Sequence, residues 1–120
     1  MREIVSGNPN SEIEVLDEPG EGGACHQYLV SVGEVRLGGI VKVAADIHFQ
    51  KGPIREKGVN GCHQEDLLAI VIDRLESFQA GAFSCRENAM ALTKCQEAMH
   101  WLNHRTQNRQ RRGVEGTNKA

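Results

Sequence analysis

The feature that most constrains this chain is a change in the spacing of its apolar residues at Cys62. Before Cys62, apolar and polar side chains alternate, which is typical of strands with one buried face. After it, apolar residues recur every three or four positions, which is typical of amphipathic helices. A chain of 120 residues can bury one modest core. The sequence therefore predicts a single α+β domain over 1–120, with a small antiparallel sheet in 1–52 and a helical hairpin in 62–112.

Three segments, SEIEVLD, CHQYLVSV and VKVAADIHF, show the strand-like alternation. Segments 17–23 and 37–39 lie between them and carry the Gly and Pro residues expected where strands reverse. Three or four strands in an antiparallel meander are therefore predicted. Residues 50–61, QKGPIREKGVNG, break the pattern and are predicted to form a linker. The alternation predicts one shared face for each of three groups: Ile13 and Val15; His26, Tyr28, Val30 and Val32; and Val41, Val43, Ala45, Ile47 and Phe49.

The first predicted helix starts at about Cys62, and Cys62 and His63 help to begin it. Its first turn contains Glu65 and Asp66, where the positive end of the helix dipole favours acids. It is predicted to end at Ala80-Gly81, because glycine commonly follows the last helical residue. Its apolar stripe has i, i+3, i+4, i+7 spacing and consists of Leu67, Leu68, Val71, Ile72, Leu75 and Phe78.

The second predicted helix uses Ser84 as its N-cap, with Glu87 three residues later at the spacing of a capping box. It is predicted to run to Gly113. Because only about four residues separate the two helices, they are expected to be antiparallel neighbours in an αα-hairpin. The apolar positions of the second helix are Leu92, Cys95, Met99 and Leu102.

The charge composition favours a local binding site over a charged surface. Lys and Arg total 14 against 16 Asp and Glu, and the net charge of -2 gives no global attraction to nucleic acid or to an anionic membrane. Residues 104–112, in contrast, contain four arginines and no acid, which indicates a discrete anion site. No apolar stretch approaches about 20 residues and no secretion signal accompanies the four cysteines. The protein is therefore expected to be intracellular, or to be exported by a route that the sequence does not show, and its thiols are expected to be reduced.

Three of these arginines share one face of the second helix. Arg105, Arg109 and Arg112 follow i, i+4, i+7 spacing, while Arg111 points elsewhere. Their guanidinium groups repel one another unless they are solvated or meet an anion, and guanidinium binds phosphate bidentately. A phosphate site is one interpretation, and a solvated helix end whose cations complement the helix dipole is the other. The sequence alone does not choose between them.

Phe78 and Asn88 also allow two interpretations each. Phe78 ends the apolar stripe and is either a core residue or a ring on which a purine stacks. Asn88 lies on the stripe of Leu92 and Cys95, so its amide needs a hydrogen-bond partner. That partner is either a loop carbonyl or the edge of an adenine, which an amide can read bidentately.

Neither metal binding nor catalysis is predicted. The Cys-His dipeptides at 25–26 and 62–63 lack the ligand spacing of zinc modules, and His100 and His104 are expected on a solvated helix edge. The sequence contains no glycine-rich phosphate loop, and nothing marks an oriented nucleophile and base. We therefore predict a binding protein without a metal or a cofactor.

Two segments, NGCHQEDLLAIVIDRLESFQAG and CRENAMALTKCQEAMHWLNHRTQNRQRRGVEGT, resemble the helical hairpin shared by two groups of bacteriophage immune-evasion proteins. These groups are the Thoeris anti-defence sponges and the anti-CBASS cyclic-nucleotide sponges. The β-rich first half, with GGACHQYLVSV, resembles the first Thoeris anti-defence family rather than the all-helical anti-CBASS one. The resemblance covers essentially the whole chain.

The resemblance implies a non-enzymatic sponge acting in the cytoplasm of an infected bacterial host. Such a protein binds a cyclic ADP-ribose isomer, the glycocyclic ADP-ribose signal of the Thoeris system, and holds it intact. The resemblance also implies a second pocket for cyclic di- or trinucleotides of CBASS. By position, the family's signal-binding residues fall on Phe78, Asn88, Arg105 and Arg109, with Arg55, Arg112, Gly113, Val114, Glu115 and Gly116 as further members and His26 and the linker loop as further contributors.

Helix geometry adds a prediction about assembly. Arg105 follows Asn88 by 17 residues, about 25 Å at 1.5 Å per residue. No ligand of nucleotide-pair size bridges that distance within one chain, so the arginines must come from a second protomer if all four residues contact one ligand. A two-fold homodimer with two composite pockets is predicted, and the family precedent allows a hexamer, a trimer of dimers. The alternatives are a small RNA- or DNA-binding hairpin and an enzyme that acts on a cyclic nucleotide.

Overall fold

The computed structural model describes residues 2–34, 39 and 41–119. Contacts group the chain into two compact units, one that ends at Cys62 and one that begins at His63. The division falls where the apolar spacing changes, and the predicted α+β class is confirmed. That the whole chain is a single domain stays a prediction. Within the described part of the chain, no helix is both long enough and apolar enough to cross a membrane.

The first unit contains, over its described residues, a four-stranded antiparallel sheet in the order β1-β2-β3-β4. Each strand pairs with its neighbour in sequence, so the predicted meander is confirmed. The segment at 17–23 connects β2 to β3, as predicted, and most of the predicted turn at 37–39 lies outside the described residues. The strands are β1 (Arg2–Ile4), β2 (Ser11–Val15), β3 (Gln27–Gly33) and β4 (Val41–His48).

One face of the sheet is apolar, and its centre is Val15. Residues that are opposite each other in the register share a face, and Tyr28 lies opposite both Val15 and Ile47. Val15 is only 1% exposed, and full burial of such a side chain contributes about 1.5 to 3 kcal/mol. Among the described residues of this unit, Val15 and Cys25 are the buried apolar side chains.

The prediction that Val41 and Val43 share a face with Ala45 is wrong. The register pairs Val30 with Ala45 but Ser31 with Val43, so β4 contains an extra residue at this point, a β-bulge. The bulge changes the phase of the alternation and moves both valines to the opposite face of the sheet. Val43 is accordingly 57% exposed. A strict two-residue period cannot reveal such an insertion.

The segment 50–61, predicted to be a linker, is a folded loop. It contains one turn of helix, α1 (Ile54–Lys57). The side-chain amide of Asn60 closes the loop, because it accepts a hydrogen bond from the backbone N–H of Lys51 and donates one to its carbonyl, both at 2.8 Å. The loop also returns to the sheet through a backbone hydrogen bond from Cys62 to the carbonyl of His48 at 2.8 Å.

The first long helix, α2 (Gln64–Gln79), begins two residues after the predicted start at Cys62 and ends where the sequence predicts. His63 is its N-cap, and the backbone N–H of His63 donates to the carboxylate of Asp66 at 2.9 Å. This contact is half of a capping box and satisfies a backbone donor at the helix start. Ala80 is the C-cap, which confirms the predicted end.

The second long helix, α3 (Arg86–Arg111), starts one residue later than predicted. Its N-cap is Cys85 rather than Ser84, because Cys85 has an extended backbone and its Sγ accepts a hydrogen bond from the N–H of Asn88 at 3.4 Å. Glu87 is consequently the second helical residue and is not in capping-box position. The six residues from 80 to 85 connect α2 and α3, which pack against each other as an αα-hairpin.

Candidate functional site

The turn end of the hairpin carries a pair of aromatic rings. Phe78 in the last turn of α2 lies edge to face with Phe83 of the connection, with ring centroids 6.5 Å apart. The guanidinium carbon of Arg74 lies 5.3 Å from the centroid of Phe78, a cation–π contact. Phe78 is 36% exposed, so it is not a core residue of this unit. Phe83 was not predicted as a site residue, although an aromatic residue in a short hairpin connection is a usable signal.

Asn88 lies beside this pair. Its Nδ2 donates to the backbone carbonyl of Phe83 at 3.4 Å, so the loop-carbonyl interpretation of its partner is confirmed. A donor–acceptor distance of 3.4 Å exceeds the usual range for an N–H···O hydrogen bond, which makes this contact weak. Phe78, Phe83 and Asn88, which we call the turn cluster, therefore bring together two ring faces and an amide that can exchange its partner.

The opposite end of α3 turns the chain back on itself. Gly113 has φ +71°, a left-handed conformation that favours glycine. The N–H of Gly113 donates to the carbonyl of Gln110, and the N–H of Val114 donates to the carbonyl of Arg109. These two hydrogen bonds form a Schellman motif, which ends the helix near the predicted Gly113. The motif directs the segment after Gly113 toward the side chain of Arg109.

The side chain of Arg109 is enclosed by that segment. Its Nε donates to the carboxylate of Glu115 at 3.2 Å. Nη2 donates to the carbonyls of Val114 and Thr117 at 3.0 and 3.2 Å, and Nη1 donates to the carbonyl of Lys119 at 2.5 Å. Arg109 is only 7% exposed. We call this arrangement of Arg109 and residues 114–119 the tail clasp.

The other arginines that the resemblance implies as binding residues lie outside the tail clasp or at its edge. Arg105 lies on α3 one turn before Arg109 and is exposed, whereas Arg109 is buried, so the arginines do not form one uniform solvated array. The solvated-helix-end interpretation therefore fails for Arg109. Arg112 is the C-cap of α3, and Arg55 is exposed on α1 in the first unit.

The structure joins the implied site residues into two groups instead of one. Phe78 and Asn88 belong to the turn cluster, while Val114 and Glu115 join Arg109 in the tail clasp. Arg105 is close to the clasp along α3, and the 17 helical residues from Asn88 to Arg105 span about 25 Å. Within one hairpin, a ligand at the turn cluster therefore does not reach Arg105.

In the first unit, Asp17 organises the start of β3. Its carboxylate accepts hydrogen bonds from the backbone N–H groups of His26 at 2.9 Å and Gln27 at 3.0 Å. Burial acts to raise the pKa of Asp17, but these two N–H groups, with smaller electrostatic contributions from the His26 and Lys51 side chains, outweigh it, so the pKa is lowered from its usual value. His26, implied only as a contributor, is thereby tied to β2 and β3.

This lowered pKa predicts a pH-dependent stability of the first unit. Because the folded-state pKa lies below the usual 3.8, the ionised carboxylate contributes stability above that pH. The contribution is lost as the pH falls through the folded-state pKa. Thermal melts between about pH 5 and about pH 2.5 should show this loss, and Asp17→Asn should remove that part of the pH dependence. Glu18→Gln, at the adjacent exposed position, is the matched control and should keep the parent's loss of stability over this pH range.

In the part of the chain that the structure describes, no group of three His, Cys, Asp or Glu side chains is arranged to hold a metal ion. The four cysteines are free thiols, and Cys85 serves as the N-cap of α3. His100 and His104 are exposed on α3, as expected for a solvated helix edge, and they stack with ring centroids 6.4 Å apart.

A small antiparallel sheet followed by a long helical hairpin, with aromatic rings at the turn and a clasped arginine at the other end, defines an α+β hairpin protein. The family model described as the Acb2/Tad1 hairpin domain matches residues 41–107. This chain belongs to the Acb2/Tad1 hairpin family. The resemblance found in the two hairpin segments is thereby confirmed.

A relative in this family supports the same assignment. The chain is 59% identical over 73 residues to a protein named Thoeris anti-defense 1 from Bacillus phage SBSphiJ7. The aligned region is 61% of this chain and 51% of the relative, so the chain spans about half the length of the curated relative that it matches.

Proposed function

We propose that this protein is a phage anti-defence sponge that binds a cyclic ADP-ribose isomer and holds it without degrading it. The observation that carries the proposal is the match of residues 41–107 to the Acb2/Tad1 hairpin model, together with a relative named Thoeris anti-defense 1. A sponge acts by removing a signal from solution, so the host effector that depends on the signal stays inactive. Its place of action is the cytoplasm of the infected bacterium.

The chemistry of the two hairpin ends supports this ligand class. A cyclic ADP-ribose isomer has an adenine and a diphosphate. Phe78 offers a partly exposed ring face for stacking, and the amide of Asn88 can exchange its weak bond to Phe83 for an adenine edge. Arg105 offers an exposed guanidinium for phosphate. Phe78 and Asn88 thus suit the adenine base, and Arg105 suits the pyrophosphate.

Arg109 has a different part in the proposal. Its donors already bind the carboxylate of Glu115 and three backbone carbonyls, so a phosphate reaches it only if the tail clasp opens. We assign Arg109 to holding residues 114–119 in the conformation that contacts the signal. Direct phosphate binding by Arg109 is the alternative, and it requires Glu115 to leave.

A two-fold dimer is part of the same proposal. Because the turn cluster and Arg105 are about 25 Å apart along α3, one ligand contacts both only when the second hairpin runs in the opposite sense. A single hairpin also leaves a groove of about 490 Å³ lined by apolar residues that include Leu68, Val71 and Leu102. Trp101 borders this groove and is 65% exposed. Apolar surface of this kind commonly marks a protein–protein interface.

Capture and release test the function directly. The purified protein should deplete glycocyclic ADP-ribose from solution with sub-micromolar affinity, which corresponds to about 8 kcal/mol or more. Heating the complex to denature the protein should return the signal chemically unchanged by mass spectrometry. Recovery of linear or hydrolysed products would instead identify an enzyme.

The competing functions give different results in the same experiments. A hairpin that binds RNA or DNA would bind polymer with a steep salt dependence, because each phosphate contact releases counterions. Cyclic di- and trinucleotides form a separate arm: if they occupy a second pocket, they should bind without displacing the cyclic ADP-ribose isomer. Failure of the protein to bind any cyclic nucleotide would refute the proposal.

A further inference from the structure

A cation lies beside the turn cluster. Arg74 is exposed on α2 one turn before Phe78, and its guanidinium carbon lies 5.3 Å from the centroid of the Phe78 ring. Among the described residues, no hydrogen bond or ion pair engages this guanidinium. Its five N–H donors are therefore available to a ligand, in contrast to those of Arg109, which the tail clasp occupies.

Arg74 continues one wall of the apolar groove of the hairpin. Residues of α2 with i, i+4, i+7, i+11 spacing share one stripe of the helix, and these are Leu67, Val71, Arg74 and Phe78. The first two of them line the groove. Arg105 continues the other wall, because it follows Trp101 by four residues on α3, and Trp101 lines the groove too. The groove therefore has Arg74 and Phe78 beyond one end and Arg105 beyond the other.

A two-fold axis through the groove would bring these two ends together. The midpoint of α3 between Asn88 and Arg105 falls within two residues of Ala98, which lines the groove. In the proposed dimer, an axis at this level carries Arg105 of the partner to the turn end of the first hairpin. Arg74 and the partner's Arg105 would then approach one ligand from different protomers.

The charge of the ligand requires more than one available guanidinium. A diphosphate carries two negative charges, and each phosphate can accept a bidentate contact from an arginine. Of Arg105 and Arg109, only Arg105 is exposed, because Arg109 is enclosed in the tail clasp. Arg74 can supply the missing cation. Its cation–π contact at an exposed position is weaker than a charge-assisted hydrogen bond, so the guanidinium can leave the ring when a phosphate is present.

We propose that Arg74 is a further signal-binding residue, which binds one phosphate of the cyclic ADP-ribose isomer while Arg105 of the partner binds the other. This inference rests on the proposed function, and it adds the cation that meets the diphosphate at the turn end. In the free protein the guanidinium covers part of the Phe78 ring. On binding, it turns from the ring to the phosphate, and the ring face that it leaves becomes available to the adenine.

Calorimetry of the full chain with glycocyclic ADP-ribose tests this assignment. Arg74→Gln should leave the hairpin folded, because the position is exposed and glutamine is a good helix former. It should weaken capture about tenfold or more, because a charge-assisted hydrogen bond to the phosphate is lost. Arg86→Gln makes the same change of charge at the exposed first residue of α3, near the same end of the hairpin. It is the matched control and should leave capture unchanged.

Adenosine, which has the base but no phosphate, separates a phosphate contact from a role in holding the ring. NMR shifts of the Asn88 side-chain amide at about millimolar adenosine measure its binding. Arg74→Gln should bind adenosine at least as tightly as the parent, because the guanidinium no longer competes for the Phe78 ring. Equal weakening of adenosine and of glycocyclic ADP-ribose would mean that Arg74 only positions the ring, and this result would overturn the phosphate contact.

Two further results would overturn the inference: unchanged capture by Arg74→Gln, or an equal loss in Arg74→Gln and Arg86→Gln. The parent protein separates this inference from the proposed function. If the parent captures the signal and Arg74→Gln captures it equally well, the inference alone fails. If the parent does not capture the signal, the proposed function fails and the role of Arg74 fails with it.

Discussion

Arg109→Ala should abolish capture of the cyclic ADP-ribose isomer and release residues 114–119 from the end of α3. The substitution removes four hydrogen bonds from a guanidinium that is 7% exposed. It leaves the Glu115 carboxylate and the carbonyls of Thr117 and Lys119 without this donor, while the Val114 carbonyl keeps its hydrogen bonds from Thr117. Hydrogen bonds to charged groups contribute about 1.5 to 3 kcal/mol each. Losing two of them destabilises the held conformation of residues 114–119 by about 3 kcal/mol, and because capture is proposed to require that conformation, the apparent affinity should fall by roughly 100-fold. Calorimetry measures the affinity, and hydrogen exchange at residues 114–119 measures the release.

Two further variants separate the possible roles of Arg109. Arg109→Lys keeps the charge but loses the planar fork that reaches a carboxylate and three carbonyls together, so it should not restore capture. Glu115→Gln leaves the three carbonyl contacts in place and should keep the tail protected from exchange. If Glu115→Gln tightens binding, the carboxylate competes with a phosphate for Arg109. If binding weakens or stays constant, Arg109 acts by holding the tail, which is the role assigned to it here.

The broad architecture could be predicted because it follows from local patterns. The change of period near Cys62, the acids in the first turn of α2 and the glycine after α3 each act over a few residues, and each prediction is confirmed. The errors occurred where a single backbone insertion or a single cap decides the outcome. The bulge in β4 reverses the face of Val43, and the Sγ of Cys85 displaces Ser84 as N-cap.

The tail clasp depends on a backbone conformation that the spacing of residues along the sequence does not show. Arg105 and Arg109 share a helix face in sequence, and spacing alone treats them alike. Only the Schellman motif at Gly113 brings the following segment back onto Arg109, so one arginine is buried and the other exposed. Phe83 escaped detection for a similar reason, because its contact with Phe78 depends on the conformation of the connection. Whether the two hairpin ends meet across a dimer stays a prediction.

Mixing two inactive variants should restore capture if the pocket is shared between protomers. Phe78→Ala loses the stacking ring, worth about 1 to 3 kcal/mol, and Arg105→Ala loses the exposed guanidinium, so each homodimer should bind poorly. In a heterodimer of these two chains, one composite pocket carries both substitutions and the other carries neither. Chains with different tags, co-expressed and purified through both tags, should therefore bind about one signal per heterodimer.

The same heterodimer distinguishes a shared pocket from one built within a single chain. If each chain formed its own pocket, every pocket in the heterodimer would contain one substitution, and capture would stay lost. A heterodimer of Phe78→Ala with the double variant Phe78→Ala/Arg105→Ala is the matched control, since it has no intact pocket in either arrangement. Binding by the first heterodimer and not by the second would place the ring of one protomer and the arginine of its partner on the same ligand. A ligand-binding monomer in sedimentation would contradict the shared pocket, because about 25 Å of α3 separates the turn cluster from Arg105 within one chain.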